Sequence, residues 1–183
     1  MVILHYNSSM SLNSAEKASP LIWITGMPGS GKTTLAKDLV SSLKIKGKFC
    51  IHLDGDELRH ILKKENSDLD YSPENRIDLA LLYSRLAVAL NSQGFIVIVS
   101  TVSLFWKVHE LNRLSAKNYF EVFLDVDTSL LETGPRRKLY ENVLRNQLTP
   151  EFPISPDIIL NANNLADRAS WLSILEKSLQ GKV

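Results

Sequence analysis

Hydrophobic positions recur along this chain in two rhythms. Leu21-Ile22-Trp23-Ile24 and Phe95-Ile96-Val97-Ile98-Val99 are apolar at every position, as strands covered on both faces are. Elsewhere the spacing is helical, as with Leu35, Leu39 and Leu43 at i, i+4 and i+8. Together they predict strands at 21–25, 49–53, 95–99, 119–126 and 157–160. Helices are predicted over 32–46, 57–64, 72–92, 105–115 and 165–179. A further basic helix spans 128–147, broken at Gly134-Pro135, and a Pro-rich loop covers 149–156. Ser72 before Pro73 reads as a helix start, with Ser as N-cap.

Strands alternating with helices imply an α/β fold of three layers, a parallel sheet with helices on both faces. Ligands of such sheets bind beyond the carboxyl ends of the strands. The polar segments 26–34, 54–59, 100–109 and 127–140 all follow predicted strands, so one shared site is expected. Residues 1–19 are expected to form a flexible leader rich in Ser and Asn. Residues 20–183 form one domain, with a small helical lid at about 128–150.

Gly26-Met27-Pro28-Gly29-Ser30-Gly31-Lys32-Thr33 matches the phosphate-binding pattern G-x-x-x-x-G-K-[ST], between a strand and an amphipathic helix. Its glycines let backbone N–H groups turn inward around phosphates, and the helix start adds partial positive charge. Residues 26–33 and Thr34 are therefore the expected ATP site. Lys32 is to reach the β- and γ-phosphates and the Thr33 hydroxyl to ligate Mg²⁺. Neither D-x-x-G nor N-K-x-D occurs, which excludes a signalling GTPase. Cys50–Asp54 and Val122–Asp125 end in Asp without a following Glu, unlike a mechanical ATPase. A small-molecule kinase remains, with ATP and Mg²⁺ as cofactors.

Charge and cysteine content narrow the setting. Lys and Arg number 21 against 20 Asp and Glu, so nothing pulls the chain toward nucleic acid or an anionic membrane. The expected partners are a nucleotide substrate and, at most, a second copy of the chain. The single cysteine, Cys50, reads as a core thiol and suits a reducing cytoplasm. Trp23, Trp106 and Trp171 read as core or interface aromatics.

A kinase also needs an acceptor pocket, a base and cations. Asp54-Gly55-Asp56-Glu57-Leu58-Arg59 follows the second strand, and Gly55 is expected to allow a sharp turn. Asp56 is the candidate base for an acceptor hydroxyl. Asp54 would hold Mg²⁺ through a water or share that task, and Arg59 would grip an acceptor phosphate. The plainer reading is a helix start with capping acids.

The phosphate loop followed by D-G-D-x-x-R resembles the adenylyl-sulfate kinase family, over about residues 21–161. Tyr71-Ser72-Pro73-Glu74-Asn75-Arg76 is similar to the family's F-S-x-x-D-R, and Val102-Ser103-Leu104-Phe105 to I-S-P-[FY]. Arg137-Lys138-Leu139-Tyr140 is similar to the lid's K-G-L-Y. The resemblance implies phosphate transfer from ATP to the ribose 3′-hydroxyl of adenylyl sulfate. It also implies base stacking on Tyr71, acceptor binding by Arg76, a hydrogen-bonding role for Ser103, and a cationic lid carrying Arg137.

The departures are on the acceptor side. The family's Asn and two Arg after F-S-x-x-D-R read Leu79, Leu81 and Leu82 here, and Leu104 replaces a Pro. An Arg falls at His109, which is either a packing histidine or an acceptor contact. The lid's R-D falls at Gly134-Pro135. Leucines lining the pocket would leave a sulfated nucleotide's polar groups unpaired, at about 1–3 kcal/mol each. Tyr83-Ser84-Arg85-Leu86 looks more like the branch that phosphorylates cytidine diphosphoramidate in capsule-type modification. That acceptor is the expected one, with ordinary adenylyl-sulfate kinase as alternative. An inactive nucleotide-binding regulator is the reading from another class.

Overall fold

The computed structural model describes residues 18–62, 73–133 and 149–183. Among them, strands β1 (Leu21–Gly26), β2 (Cys50–Asp54), β3 (Ile96–Ser100), β4 (Tyr119–Asp125) and β5 (Ile158–Asn161) form one sheet. All its pairings are parallel, in the order β2-β3-β1-β4-β5. The helices are α1 (Lys32–Ile45), α2 (Gly55–Leu62), α3 (Pro73–Ser92), α4 (Trp106–Ser115), α5 (Thr128–Thr133) and α6 (Arg168–Ser178). This is the expected three-layer P-loop kinase architecture.

The apolar runs are continuous because alternate side chains enter different cores. On one face, Ile22 and Ile24 of β1 and Ile96 and Ile98 of β3 meet Leu35, Leu39 and Leu43 of α1 and Trp171 and Leu175 of α6. On the other, Leu21, Trp23, Val97 and Val99 meet Leu81 and Tyr83 of α3 and Val108 of α4. One slip in register would exchange the two sets.

Several expectations need correction. Phe49 lies outside its strand and is 90% exposed, and β2 is only half-buried because it is an edge. Cys50 is therefore half-buried, and partial burial raises its thiol pKa. Trp23 and Trp171 are buried, but Trp106 is 52% exposed. The closing helix opens with a 3₁₀ turn, Leu165–Asp167. Of the basic helix over 128–147, Thr128–Thr133 is helical. Residues 134–148, with Arg137, lie outside the described residues, as do Tyr71, Ser72 and leader residues 1–17. Ala18 and Ser19 hydrogen-bond to the Asn118 side chain and Gly94 carbonyl, at 2.8 and 2.7 Å. Among the described residues, no helix is long and apolar enough to cross a membrane.

Candidate functional site

β1 lies between β3 and β4, where strand order reverses, and a crevice opens at such a point. A cleft of about 590 Å³ lies there. Gly29, Gly31, Lys32, Thr33 and Thr34 line one side, and Asp54, Asp56, Arg59 and Arg76 the other. Residues far apart in sequence thus converge because parallel strands end together.

Gly29 and Gly31 have φ of 78° and 99°, which disfavours any residue with a Cβ. Gly31 is the N-cap of α1 and has no side-chain cap, so the helix's first N–H groups are left for an anion. Lys32 is buried, its Nζ donating to the Met27 carbonyl at 2.8 Å, with Ser30 Oγ at 3.5 Å. Burial lowers its pKa to about 8, against the opposing pull of Asp56 and Asp54.

Asp54 closes β2 and uses both carboxylate oxygens. Oδ2 accepts from Thr33 Oγ1 at 2.7 Å and Ser100 Oγ at 2.8 Å. Oδ1 accepts from the Asp56 and Glu57 amides at 3.0 and 3.3 Å, capping α2. Burial alone would raise its pKa, but the bonds from Thr33, Ser100 and the two amides outweigh it and hold Asp54 ionised. Because the Ser100 proton points at Asp54, the His52 Nε2 that lies 2.9 Å from Ser100 Oγ must be the protonated nitrogen.

Asp56 differs from Asp54. Its side chain is 81% exposed in the cleft, 3.5 Å from Arg59 Nη1. The chain turns at Gly55 directly from β2 into α2, without a positive φ. The requirement for glycine there is space: a Cβ would lie 2.6 Å from Thr101 Oγ1. A narrow slot, bounded by Met27, Arg76, Val102, Leu104, Phe105, Thr149 and Pro150, adjoins the acceptor side.

Other expected acceptor residues lie elsewhere. His109 is buried, with Nδ1 at 2.5 Å from Glu121 Oε1. It is not among the residues lining the cleft, and it packs between α4 and β4. Glu121 also accepts from Tyr119 and Arg113. Burial pushes its pKa up, and these partners more than reverse that. Ser103 is buried against Thr101 at 2.9 Å. The three leucines do not line the cleft: Leu81 is in the core, Leu79 packs against it and Leu82 faces solvent.

The cleft also holds residues that sequence reasoning missed. Ser100, which ends β3 as Asp54 ends β2, and Thr101 lie in the segment 100–109 expected at the site, but were not singled out there. His60 and Arg168 line the cleft as well. Arg168 Nε lies 3.3 Å from Asp38 Oδ2 across α1 and α6. No motif marks it.

The family model for adenylylsulphate kinase matches residues 18–153. The cytidine diphosphoramidate kinase of Campylobacter jejuni is 41% identical over 162 residues, 83% of this chain and 93% of that protein. The adenylyl-sulfate kinase of Paraburkholderia xenovorans is 30% identical over 154 residues, 79% of this chain and 84% of that one. Among solved structures, the Mycobacterium tuberculosis APS kinase in complex with AMPPNP and APS superposes with a TM-score of 0.73. It is 27% identical, and the match covers 89% of this chain and 98% of that one.

Proposed function

The chain belongs to the adenylylsulphate kinase family and is a P-loop phosphotransferase, and we propose that it phosphorylates the ribose 3′-hydroxyl of cytidine diphosphoramidate with ATP. The observation that carries the acceptor is the extent of identity to the Campylobacter jejuni enzyme, over most of both chains. The departures at 79, 81 and 82 lend it no support. They remove polar groups from one stretch of α3, but the leucines pack in or beside the core or face solvent, away from the acceptor. The reading also places the enzyme in the cytoplasm, acting on a nucleotide, with no nucleic-acid or membrane partner.

The ATP phosphates occupy the loop of Gly26–Thr34, where backbone N–H groups and the start of α1 receive them. Lys32 exchanges the Met27 carbonyl for the β- and γ-phosphate oxygens. Thr33 Oγ1 and Asp54, joined by a 2.7 Å hydrogen bond, offer hard oxygens of the kind Mg²⁺ takes, and would hold it through the hydroxyl and, from Asp54, through a water. Bound there, Mg²⁺ would neutralise charge on the β- and γ-phosphates. Asp56 accepts the proton of the acceptor hydroxyl as its oxygen bonds to the γ-phosphorus and the bond to the β-phosphate oxygen breaks. Arg59 and Arg76 hold the acceptor's charged groups. Tyr71 stacks on its base and Arg137 neutralises the phosphoryl group in transfer. Ser103 serves by bracing Thr101.

Comparison of kcat/KM for cytidine diphosphoramidate and adenylyl sulfate, each with ATP and magnesium, tests the acceptor. The first is expected to win by about tenfold or more, which is about 1.4 kcal/mol of transition-state binding. An equal margin for adenylyl sulfate overturns the assignment.

Lys32 gives a test on the donor side. With its pKa near 8 in the free protein, it is protonated at pH 6.5 and largely neutral by pH 9. A polyphosphate beside it favours the charged form and raises that pKa. ATP binding at about pH 8–9 should therefore take up a proton, and binding at about pH 6.5 should not involve Lys32. Calorimetry in buffers of different ionisation enthalpy reads the uptake. Equal uptake at both pH values would contradict the lysine's low pKa.

A further inference from the structure

The segment after residue 148 runs back over the acceptor side, and it is fastened to the β3–α4 connection at one residue from both ends of its functional groups. The Glu151 amide donates to the Leu104 carbonyl at 3.0 Å. Its carboxylate accepts from the Trp106 amide at 2.7 Å. Trp106 is the first residue of α4, and the N-cap, Phe105, is extended and offers no side-chain cap. An orphan N–H at a helix start is thus met by a carboxylate from a different segment, with the charge of the sign that the helix dipole favours.

What Glu151 joins are two walls of the same slot. Leu104 and Phe105 form one side, and Thr149 and Pro150, just before Glu151, form another. Met27, Arg76 and Val102 contribute the rest, and Arg76 and Val102 also line the main cleft. A second fastening lies one residue on, where Trp106 Nε1 donates to the Phe152 carbonyl at 2.9 Å. The Phe152 ring packs on Phe123 of β4, centroids 5.5 Å apart. Farther along, Arg113 donates to the Ser155 carbonyl at 3.0 Å. The segment is held along its length, and the Glu151 and Trp106 contacts adjoin the slot's lining residues Pro150 and Phe105.

We propose that Glu151 is a positioning residue for the acceptor: by tying Thr149-Pro150 to Leu104-Phe105, it sets the apolar wall against which the acceptor's base lies. The inference rests on the proposed function, since it needs the acceptor to enter from the Asp56–Arg59 side. Apolar walls with few polar groups suit the faces of a planar base. Glu151 does not line the main cleft, and Met27 is the phosphate-loop residue that shares the slot. Loss of Glu151 should therefore weaken acceptor binding and leave the donor site and the chemical step intact.

The test uses the full-length enzyme, ATP, magnesium and cytidine diphosphoramidate, with adenylyl sulfate in parallel. Glu151→Ala should raise the acceptor KM by about five- to tenfold, while kcat and the KM for ATP stay within about twofold. Glu151→Gln keeps an oxygen that can accept from Trp106 and should recover most of the loss. A purely structural role would lower thermal stability without this split, and an unchanged acceptor KM, or equal changes in both KM values, overturns the proposal. Should Glu151→Ala fail to fold, Trp106→Phe removes the indole N–H of the neighbouring fastening together with part of the ring. It should shift the acceptor KM in the same direction by a smaller factor, and no shift there counts against the idea. Wild-type enzyme inactive on both nucleotides would instead refute the proposed function.

Discussion

Lys32→Ala should leave a folded protein with almost no phosphoryl transfer. The reasoning begins with the cost of the native residue. Lys32 is buried, and burial pulls its pKa down to about 8, so the resting fold gains little from its charge. Its bonds are to the Met27 carbonyl and, more weakly, Ser30 Oγ, within its own loop. Removing it spares both cores. On the proposed mechanism the same ammonium faces the migrating phosphoryl group, and losing one preorganised charge of that kind costs about 10²–10³ in rate. Thr33→Ala should be comparably inactive, and it also frees Asp54 Oδ2 of one of its two hydroxyl donors. Steady-state turnover with thermal melts on the same samples decides the matter. Near wild-type turnover in either variant would end the P-loop kinase mechanism.

The donor half of this site was legible in the sequence because its chemistry is local. A loop that wraps phosphates needs glycines, a lysine and a hydroxyl at set spacing, and those requirements stand in one octapeptide, Gly26–Thr33. The layers were legible too, since burial on both faces makes β1 and β3 apolar at every position. The order of strands leaves no such trace. That β2 is an edge, and so leaves Cys50 half-buried, follows from β3 lying between it and β1.

The acceptor half was less legible because it depends on which way helices and strands turn. Leu79, Leu81 and Leu82 are near neighbours in sequence, but successive residues turn about 100° around a helix. One joins the core, one packs beside it and one meets solvent. His109 ends beside Glu121, twelve residues away on β4, and a one-dimensional comparison cannot show that pairing. Gly55 was legible as a turn, but the obstacle to a side chain there, Thr101 after a different strand, was not.

Asp56→Asn should lower kcat by about 10²–10⁴ and leave ATP binding as it is. The two carboxylates of the D-G-D stretch could each have been the base, and their surroundings separate them. Asp54 is held in place by two hydroxyls and two amides, which keep it ionised beside Thr33. A group so tied is suited to holding a metal ion, not to cycling a proton. Asp56 makes one longer contact, to Arg59 at 3.5 Å, and its carboxylate stands open in the cleft. Asparagine there keeps the shape and the backbone bond to Asp54 and removes the proton acceptor. Asp54→Asn should behave differently. It would give up an ionic acceptor for Thr33 and Ser100, weaken the cap of α2 and reduce magnesium-dependent ATP affinity. Measuring kcat, the Kd for ATP with magnesium and the melting temperature on both variants separates the roles. If Asp56→Asn loses ATP affinity and keeps kcat, Asp56 belongs to the donor side and the base must be sought elsewhere in the cleft.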